Sequence, residues 1–316
     1  MAEPGVLTVV PPGRLDPDRA VARLQDSPLT LARTRRLGRR VLAVESDPAG
    51  AANTGIVVGD ERVLVFDTRV TPTLGAELAH VVLAATGARP ADLIVVNSHF
   101  HGDHVFGNGA FRGATILATT STRAAELREW QRQVAIFERL RPQDAADVRN
   151  AAVAPPTIGI GGPARIDLGG VEVELEPFGP AHTEGDLVAH VPDEGVAFVG
   201  DLVFNGHWPS MWDADVRGWL AALRRLGGSA AATLVPGHGP TGGQAMVARM
   251  ADCLRFLVAL EHAGGDQAAE VAASPFADLL HPDRVDEGRL RVREQAVPAE
   301  ASMPPAGFDH QQKERA

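Results

Sequence analysis

Four side chains that can bind a metal ion fall within six residues of one another in the stretch NSHFHGDHVFGN. They are His99, His101, Asp103 and His104. The apolar run 93–96 directly before them predicts a buried strand, and residues at the end of a strand are held on a rigid support. Imidazole and carboxylate ligands in one site favour zinc, with manganese or iron as alternatives.

The spacing within this stretch predicts two opposite directions for its side chains. His99 and His101 are two residues apart, so an extended backbone points both to the same side. Gly102 permits a sharp bend, which would turn Asp103 and His104 the other way. A metal site needs ligands from more than one loop, so further ligands are expected elsewhere in the chain.

Three more candidate ligands also follow apolar runs that read as strands. His182 lies in GPAHTEGD, Asp201 in AFVGD and His238 in LVPGHGP. Loops at the ends of strands are the usual place for functional residues on a rigid scaffold. The seven residues therefore predict one site assembled from four separate strand ends.

The elements that must position these residues alternate between strands and helices. VLAVES, TGIVVGD and RVLVFDT predict three short strands, and Leu74–Thr86 has the apolar spacing of a helix. Later hairpins are predicted around Gly169-Gly170 and across 192–195, followed by helices over 216–226, with Asp215 as N-cap, and over 246–263. This order predicts α/β layers.

Residues 121–150 are strongly helical and rich in arginine and glutamate. Their apolar face (Trp130, Val134, Phe137 and Leu140) allows two interpretations. The face could cover a cleft, or the helices could pack on the sheet with a solvated charged face. We favour the second, which is the ordinary arrangement.

Composition is that of a soluble globular enzyme, with 45% hydrophobic and 22% charged residues. We expect residues 1–40 to form a peripheral N-terminal segment, 41–295 to form one catalytic domain, and 296–316 to be a polar, disordered tail. The single cysteine, Cys253, excludes an internal disulfide and is expected in the core.

The formal net charge of −10 argues against nucleic acid or an anionic membrane as the main partner. No apolar run approaches the roughly 18 to 20 residues that a membrane-spanning helix needs. The first 20 residues lack the basic start and apolar core of a signal peptide. We therefore expect a cytoplasmic location.

Read in order, HFHGDH, His182, Asp201 and His238 resemble the metallo-β-lactamase-fold metallohydrolase superfamily over about residues 41–263. The resemblance implies an α/β (α+β) fold, the four-layer αββα sandwich, in which two packed mixed β-sheets are flanked by helices. The metals of that fold lie at one edge between the sheets.

The resemblance also implies how the ligands divide between two zinc ions. It assigns His99, His101 and His182 to one ion, Asp103, His104 and His238 to the other, and Asp201 to a bridge between them. Asp103 and Asp201 are also the expected catalytic residues. His101, where the diiron flavoprotein branch has glutamate, is similar to the zinc hydrolases.

Two divalent ions beside one water lower its pKa from 15.7 to about 7, which supplies a hydroxide without a serine or cysteine nucleophile. We therefore expect a dinuclear zinc hydrolase that cleaves an ester, thioester or lactone with such a hydroxide. Its partner would be a small acyl substrate, carried on a carrier protein or coenzyme A as one alternative. Whether the chain forms a homo-oligomer is left open.

A cluster shortly after Asp201 is a candidate pocket wall: Phe204, His207, Trp208, Met211 and Trp212. Such a wall would suit an aromatic or extended acyl group. Plain core packing explains the cluster equally well. Asp186 is likewise either an orienting partner of a ligand or a turn residue before a strand.

Other reactions of this fold are weighed against the same residues. HFHGDHVFGN, GPAHTEGDLV and GHGP are also similar to aromatic-polyketide cyclase/thioesterases, the runner-up. A β-lactamase-like amide hydrolase, an iron-dependent sulfur or redox enzyme and a non-catalytic metal-binding protein are further alternatives. The chain has no tyrosine, and its one lysine is Lys313, near the C-terminus. These absences disfavour resemblance to acyl-homoserine lactonases, which use a tyrosine, and to the β-lactamases that use a lysine, although an arginine could substitute for that lysine.

Overall fold

The computed structural model describes residues 14–46, 52–264 and 266–302. The strands in these residues are β1 (Ala32–Arg36), β2 (Val41–Ser46), β3 (Thr54–Val58), β4 (Val63–Phe66), β5 (Leu93–Val96), β6 (Thr115–Thr119), β7 (Ile158–Ile160), β8 (Ala164–Asp167), β9 (Glu172–Pro177), β10 (Leu187–Val191), β11 (Val196–Phe204) and β12 (Thr233–His238). The helices are α1 (Pro17–Asp26), α2 (Pro72–Thr86), α3 (Gly102–Val105), α4 (Thr120–Leu140), α5 (Ala145–Arg149), α6 (Val216–Gly227), α7 (Ala245–Ala263), α8 (Gln267–Ala273) and α9 (Arg284–Glu294).

The strands form two sheets. Strands β1 to β7 make the first sheet in chain order, antiparallel from β1 to β4 and parallel from β4 to β7. The second sheet has the order β12-β11-β10-β9-β8, and only its β11–β12 pair is parallel. Parallel neighbours end at the same edge of a sheet, which is where ligands bind in α/β proteins.

The two sheets pack face to face on a shared apolar core. Val41, Leu64 and Val96 of the first sheet belong to one buried cluster with Leu175 and Phe198 of the second. Helices α1 and α2 cover the outer face of the first sheet, and α6, α7 and α9 cover the outer face of the second. The predicted four-layer αββα fold is confirmed.

Helix boundaries follow local capping chemistry. Thr71 accepts a hydrogen bond from the Leu74 backbone N–H at the start of α2, and Gly87 ends that helix at φ +72°. The Asp215 side chain accepts from the Gly218 N–H at 2.8 Å, which confirms it as the N-cap of α6.

The described residues before Val41 belong to the fold, which corrects the expectation of a peripheral segment. Helix α1 buries Ala20, Val21 and Leu24 in the same cluster as α2. Strand β1 pairs with β2 from Ala32 to Arg36 and forms the edge of the first sheet. Its sequence, ARTRR, lacks the apolar residues that mark a strand, because an edge strand leaves much of its surface to solvent.

The last part of the chain also contributes more than expected. Helices α8 and α9 were not predicted, and Val292 and Val297 lie in the core on the outer face of the second sheet. The predicted disorder of 303–316 falls outside the described residues. Cys253 is a buried free thiol, as expected. None of the described helices is both long and apolar enough to cross a membrane.

Candidate metal centre

Four of the predicted ligands lie at the carboxyl end of β5. His99 and His101 are in the loop that follows this strand, and Asp103 and His104 are in the short helix α3. The His104 N–H donates to the His101 carbonyl at 3.0 Å, so the backbone winds into a helical turn here. The expected sharp bend at Gly102 is this turn, and the helix supplies the change of direction.

The other three candidate ligands come from the second sheet. His182 lies between β9 and β10, and His238 is the last residue of β12. Asp201 lies inside β11, not after it, where the pairing with β12 shifts register around Gly200. Gly200 has φ +52°, and a Cβ there would lie 2.7 Å from the Ser98 Cβ. Glycine therefore permits the close approach of β11 to the ligand loop.

The seven residues lie together as two groups of ligand atoms, each with its atoms within 4.8 Å of one another. The first group is His99, His101, His182 and Asp201, and the second is Asp103, His104 and His238. All seven side chains are buried. Asp201, expected as a bridge, falls in the first group, and the other six residues divide as the family resemblance implied. The role of each residue as a ligand stays a prediction.

Asp201 contacts both groups. Its Oδ2 is 3.4 Å from His182 Nε2 and 3.4 Å from His238 Nε2, and its Oδ1 is 3.2 Å from His104 Nε2. Ligand atoms around a tetrahedral zinc ion are about 3.4 Å apart, as follows from bonds of about 2.1 Å. The spacing is therefore suited to ions on both sides of this carboxylate.

Several atoms at the centre of the site lack hydrogen bonds. His99 Nε2, His104 Nε2 and Asp201 Oδ1 are buried and make none with any described residue. The last two are only 3.2 Å apart, yet their orientation does not form a hydrogen bond. Buried polar atoms are nearly always partnered. Buried ligand atoms that converge without bonding one another fit a divalent cation.

The outward-facing ring nitrogens of two histidines are held by a small hydrogen-bonded cluster. His104 Nδ1 is 2.7 Å from Asp67 Oδ2, and His99 Nδ1 is 2.9 Å from the Ser98 hydroxyl. Ser98 also donates to Asp67 through its hydroxyl and its N–H, both at 2.7 Å. Such contacts fix the orientation of a metal-binding ring. Asp67 was missed, although it follows the predicted strand RVLVFDT and so carries the same strand-end signal as the ligands.

His101 is held in a similar way by Asp213, which is itself bound by Arg132 of helix α4. Its Nε2 is 2.9 Å from Asp213 Oδ2, while its Nδ1 faces His182 Nε2 at 3.1 Å. Arg132 donates to both oxygens of Asp213, at 2.7 and 2.8 Å, and to Glu129 at 2.8 Å. An ion-paired chain thus runs from helix α4 to a candidate ligand. No sequence signal marks Asp213, which is far from His101 along the chain.

The histidine rings of the site differ in their charge. Burial lowers the pKa of His182 to about 3, and burial with neighbouring imidazoles lowers the pKa of His99 well below its ordinary value. Burial opposes the charge on His238, but Asp201 and Asp103 raise the pKa of this ring to about 9. Metal ions binding in the second group would therefore displace protons.

Asp186 is a turn residue, which is one of the two roles expected for it. Its Oδ2 accepts from the Thr183 N–H and its Oδ1 from the Thr183 hydroxyl, both at 2.8 Å. Burial, opposed by these bonds, raises the pKa of Asp186 to about 7. No described hydrogen bond joins it to a candidate ligand.

A cavity of about 200 Å³ opens onto the candidate ligands His101, Asp103, Asp201 and His238. Its other walls come from three parts of the chain: Gln133, Phe137, Leu140 and Arg141; Phe204, Ser210 and Trp212; and His281, Asp283, Arg284 and Glu287. Larger cavities beside β1 and behind the second sheet contain none of the seven candidate ligands.

The predicted pocket wall divides between this cavity and the core. Phe204 and Trp212 line the cavity. Trp208 and Met211 are fully buried in the core on the outer face of the second sheet, so their predicted place in the wall is corrected. His207 lines the cavity beside β1 instead.

Packing of the C-terminal segment (residues 266–302) explains this division. The Trp208 ring lies 5.9 Å from the Phe276 ring, and its backbone N–H donates to the Leu280 carbonyl at 2.9 Å. The same segment supplies four residues of the cavity wall, all missed from the sequence. On α4, Phe137 and Leu140 do cover the cleft, the interpretation that we did not favour, while Trp130 packs behind them in the same apolar cluster as Phe137 and does not line the cavity.

Two helix-flanked sheets with buried histidines and aspartates at their common edge define the class of protein, a metal-binding αββα sandwich. Residues 47–238 match the family model described as the Metallo-beta-lactamase superfamily. The chain belongs to this superfamily, and its metallo-beta-lactamase homologues are metal-dependent hydrolases. No curated protein matches the chain.

Solved metallo-beta-lactamase structures are similar over most of their length. The enzyme from Pontibacter korlensis has a TM-score of 0.54 and 19% identity, covering 69% of this chain and 95% of that one. The enzyme from Erythrobacter litoralis, with beta mercaptoethanol in its active site, has a TM-score of 0.55 and 17% identity, covering 71% of this chain and 96% of that one. DIM-1 metallo-beta-lactamase exposed to ceftazidime has the same TM-score, identity and coverages as the Erythrobacter litoralis enzyme. At these identities the likeness concerns the fold.

Proposed function

We propose that the protein is a dinuclear metal hydrolase, with zinc as its metal, that cleaves an ester, thioester or lactone of a small acyl compound. The observation that carries the proposal is the shared carboxylate of Asp201. It lies within 3.4 Å of His182 in one ligand group and of His238 in the other. One cavity opens onto both groups.

Histidine and aspartate are ligands that zinc accepts in an open catalytic site. Bound at the seven residues, two such ions would supply a hydroxide at neutral pH and polarise an acyl carbonyl. The protein's own part is to hold the ligands in place. Asp67 and Asp213 orient His104 and His101 through hydrogen bonds of 2.7 and 2.9 Å.

Asp103 has a further role in the proposal, because it both belongs to the second ligand group and lines the cavity. Its Oδ2 is 3.2 Å from His238 Nε2. Burial opposes its charge, but His104 and His238 hold the pKa of the Asp103 carboxyl below its ordinary value. It would therefore stay ionised at neutral pH, as a metal ligand that also accepts a hydrogen bond from water must be.

The cavity wall supports an aromatic acyl group as the substrate. Phe137, Phe204 and Trp212 provide flat apolar surface beside the ligands. The volume of about 200 Å³ suits a single ring better than the several rings of a polyketide. This supports the simple acyl hydrolase over the cyclase/thioesterase, which we keep as the alternative function.

Metal analysis combined with a substrate panel tests the proposal. We expect two zinc ions per chain, and turnover of phenyl benzoate, an aryl thioester or an aryl lactone that is lost on chelation and restored by zinc. Ceftazidime belongs in the panel, because turnover of it alone would favour the amide hydrolase. A single iron per chain would favour the redox alternative. Two bound ions without any acyl turnover would contradict the proposal.

A further inference from the structure

A second cavity, of about 510 Å³, lies beside β1 and adjoins the metal centre. The walls of this β1 cavity include Leu31, Glu45, Asn205, His207, Pro240 and Leu280. The centre of the His207 ring lies 6.1 Å from that of the His238 ring and 5.5 Å from that of the His281 ring. His238 and His281 both line the smaller cavity at the candidate ligands. The two cavities are therefore neighbours, with histidine rings between them.

The His207 ring has no hydrogen-bond partner among the described residues. The residue is 6% exposed and lines the β1 cavity. Asn205 donates from its side-chain amide to the Pro240 carbonyl at 2.7 Å, while its side-chain oxygen accepts no hydrogen bond from the described residues. Buried polar groups are nearly always partnered, and a neutral imidazole offers one donor and one acceptor. These two side chains are therefore suited to hydrogen bonds with a bound ligand.

Two leucines give the β1 cavity an apolar surface. Leu31, just before β1, and Leu280, in the C-terminal segment, are each 43% exposed, and both line the cavity. Leu31 and His281, the neighbour of Leu280, have φ angles of +55° and +61°. Residues other than glycine rarely adopt such angles, and those that do are concentrated at functional sites. A ligand with apolar groups would cover both leucines.

The charged groups that line the β1 cavity are already paired. Glu45 forms an ion pair with Arg33 at 3.0 Å, and Arg35 approaches the same carboxylate at 3.4 Å. The Thr241 hydroxyl also donates to Glu45, at 2.6 Å. The cavity therefore favours an uncharged ligand that combines apolar groups with hydrogen-bonding ones.

We infer that the β1 cavity binds the leaving group of the substrate, and that this group is the thiol of an acyl thioester carrying an extended, uncharged, amide-bearing chain of the pantetheine type. This inference rests on the proposed function and adds the leaving group to it. The smaller cavity, of about 200 Å³, suits the acyl ring, so the rest of the substrate needs the neighbouring space.

The chemistry of pantetheine matches the walls of the β1 cavity. Its methyl and methylene groups would cover Leu31 and Leu280, and its amides would meet His207 and Asn205. Hydrolysis would break the acyl carbon–sulfur bond. The hydroxyl group of water would join the acyl carbon, and the remaining hydrogen would join the sulfur to give the free thiol.

The kinetic test compares S-benzoyl-pantetheine with S-benzoyl-2-mercaptoethanol, which has the same acyl group and scissile bond but no chain. We expect the zinc-loaded wild-type protein to show a kcat/KM at least about tenfold higher for the pantetheine thioester. His207→Leu should lower this ratio by about 3- to 10-fold, because leucine keeps an apolar contact and loses the hydrogen bonds. Thioester turnover without a preference for pantetheine in wild type would overturn the inference and leave the proposed function standing.

Two further variants complete the kinetic test. Leu31→Asn should lower the ratio by about 2- to 5-fold, since it removes apolar surface. Asparagine tolerates a positive φ, so this variant decides if His207→Leu fails to fold. His190→Leu is the matched control, because His190 lines the cavity behind the second sheet, away from the candidate ligands. An equal fall of the ratio in His190→Leu would overturn the inference.

A binding test separates the inference from the proposed function. N-pentylpantothenamide has the amide-bearing chain but neither a thiol nor a scissile bond, and titration calorimetry on the zinc-loaded protein measures its binding. Binding in wild type that is weakened in His207→Leu and Leu31→Asn, but not in His190→Leu, supports the subsite even if no thioester is turned over. No binding in wild type, or equal binding in all the variants, overturns it.

Coenzyme A and a carrier protein both present a pantetheine thiol, and the same assay distinguishes these two sources. Benzoyl-coenzyme A and a benzoyl-loaded carrier protein are each compared with S-benzoyl-pantetheine. A higher kcat/KM with one of them supports the inference and assigns the source. Lower values with both would overturn the pantetheine assignment, because both carry their additional groups at the end of the chain farthest from the sulfur.

Discussion

Asp201 is the residue through which the two groups of candidate ligands are joined. Both groups approach it within 3.4 Å, and Oδ1 faces His104 while Oδ2 faces His182 and His238. Asparagine would keep the size of this side chain and remove its negative charge. Two neighbouring cations would then repel each other with less compensation.

We therefore expect Asp201→Asn to hold fewer than two zinc ions. Turnover should fall by at least about 100-fold, since loss of an outer partner of a metal ligand alone costs 10- to 100-fold. Metal content per chain and acyl turnover on one preparation measure both effects. Asp193→Asn, in an exposed turn, is the control. Full turnover with two ions bound would contradict the bridging role.

Asp213 acts on the site only through another residue, His101. Asp213→Asn should weaken zinc binding by about 10- to 100-fold, because the ring would lose a charged partner that fixes its orientation. Competition with a chromogenic chelator measures the affinity independently of turnover. Arg132→Gln should give a smaller loss. Asp283→Asn makes the same charge change in the cavity wall without a contact to His101, and an equal loss there would count against the assignment.

The candidate ligands could be predicted from the sequence because each lies within or shortly after an apolar strand, in a short, recognisable stretch. The residues that orient them could not all be found this way. Asp67 shares the strand-end position, but Asp213 reaches His101 only because α4 and the loop after β11 pack together. Contacts of that kind are set by tertiary packing and leave no fixed spacing in the chain.

Among the elements, helix α4 both lines the cavity and buries a carboxyl group. Glu126 is 1% exposed, and neither of its carboxylate oxygens makes a hydrogen bond of good geometry with the described residues. Burial, opposed by Arg123, raises the pKa of Glu126 to about 8. The folded protein therefore keeps a proton that the unfolded chain releases near its ordinary pKa of 4.5.

This difference predicts a pH-dependent effect of Glu126→Gln. The wild-type free energy of unfolding should fall as pH rises from about 4.5 to 8, by up to about 1.4 kcal/mol per pH unit from this group. Glutamine does not titrate, so the variant should gain stability relative to wild type at pH 8 and little at pH 5. Urea unfolding at both pH values measures this. Glu61→Gln, at the surface, should show no such trend, and a pH-independent difference for Glu126→Gln would refute the explanation.

Most elements of the two sheets could be predicted, because buried strands are apolar and their turns carry glycine, proline or aspartate. The elements that were missed lack those signals. Strand β1 is an arginine-rich edge, and α9 has only three buried residues, Val285, Gly288 and Val292. For α4, periodicity showed which face is apolar but not that Phe137 and Leu140 would meet a cavity.

At the scale of the whole molecule, the C-terminal segment decides which tryptophan is structural. Trp208 is 1% exposed and packs against both Phe256 and Phe276, with ring centres 6.1 and 5.9 Å away. Trp212 is only partly buried and faces the cavity. The two residues are four positions apart, and the sequence alone treats them alike.

Replacing each tryptophan should therefore give different results. Trp208→Ala should lower the free energy of unfolding by roughly 3 to 5 kcal/mol and leave substrate preference unchanged. Trp212→Ala should change stability little and reduce the preference for an aryl thioester over an acetyl thioester by about 2- to 10-fold. Chemical unfolding and the ratio of the two kcat/KM values measure these effects. A shift of that ratio in Trp208→Ala, with none in Trp212→Ala, would reverse the assignment.

The walls of the cavity come from different stretches of the chain than its floor. The candidate ligands at the floor of the cavity lie on strand ends and on α3, whereas residues 133–141 and 281–287 form much of its walls. Mutational libraries restricted to these two stretches would therefore explore new substrates while the inherited metal chemistry stays intact. The same separation would let descendants of one ancestral gene acquire different substrates while their metal ligands stay unchanged.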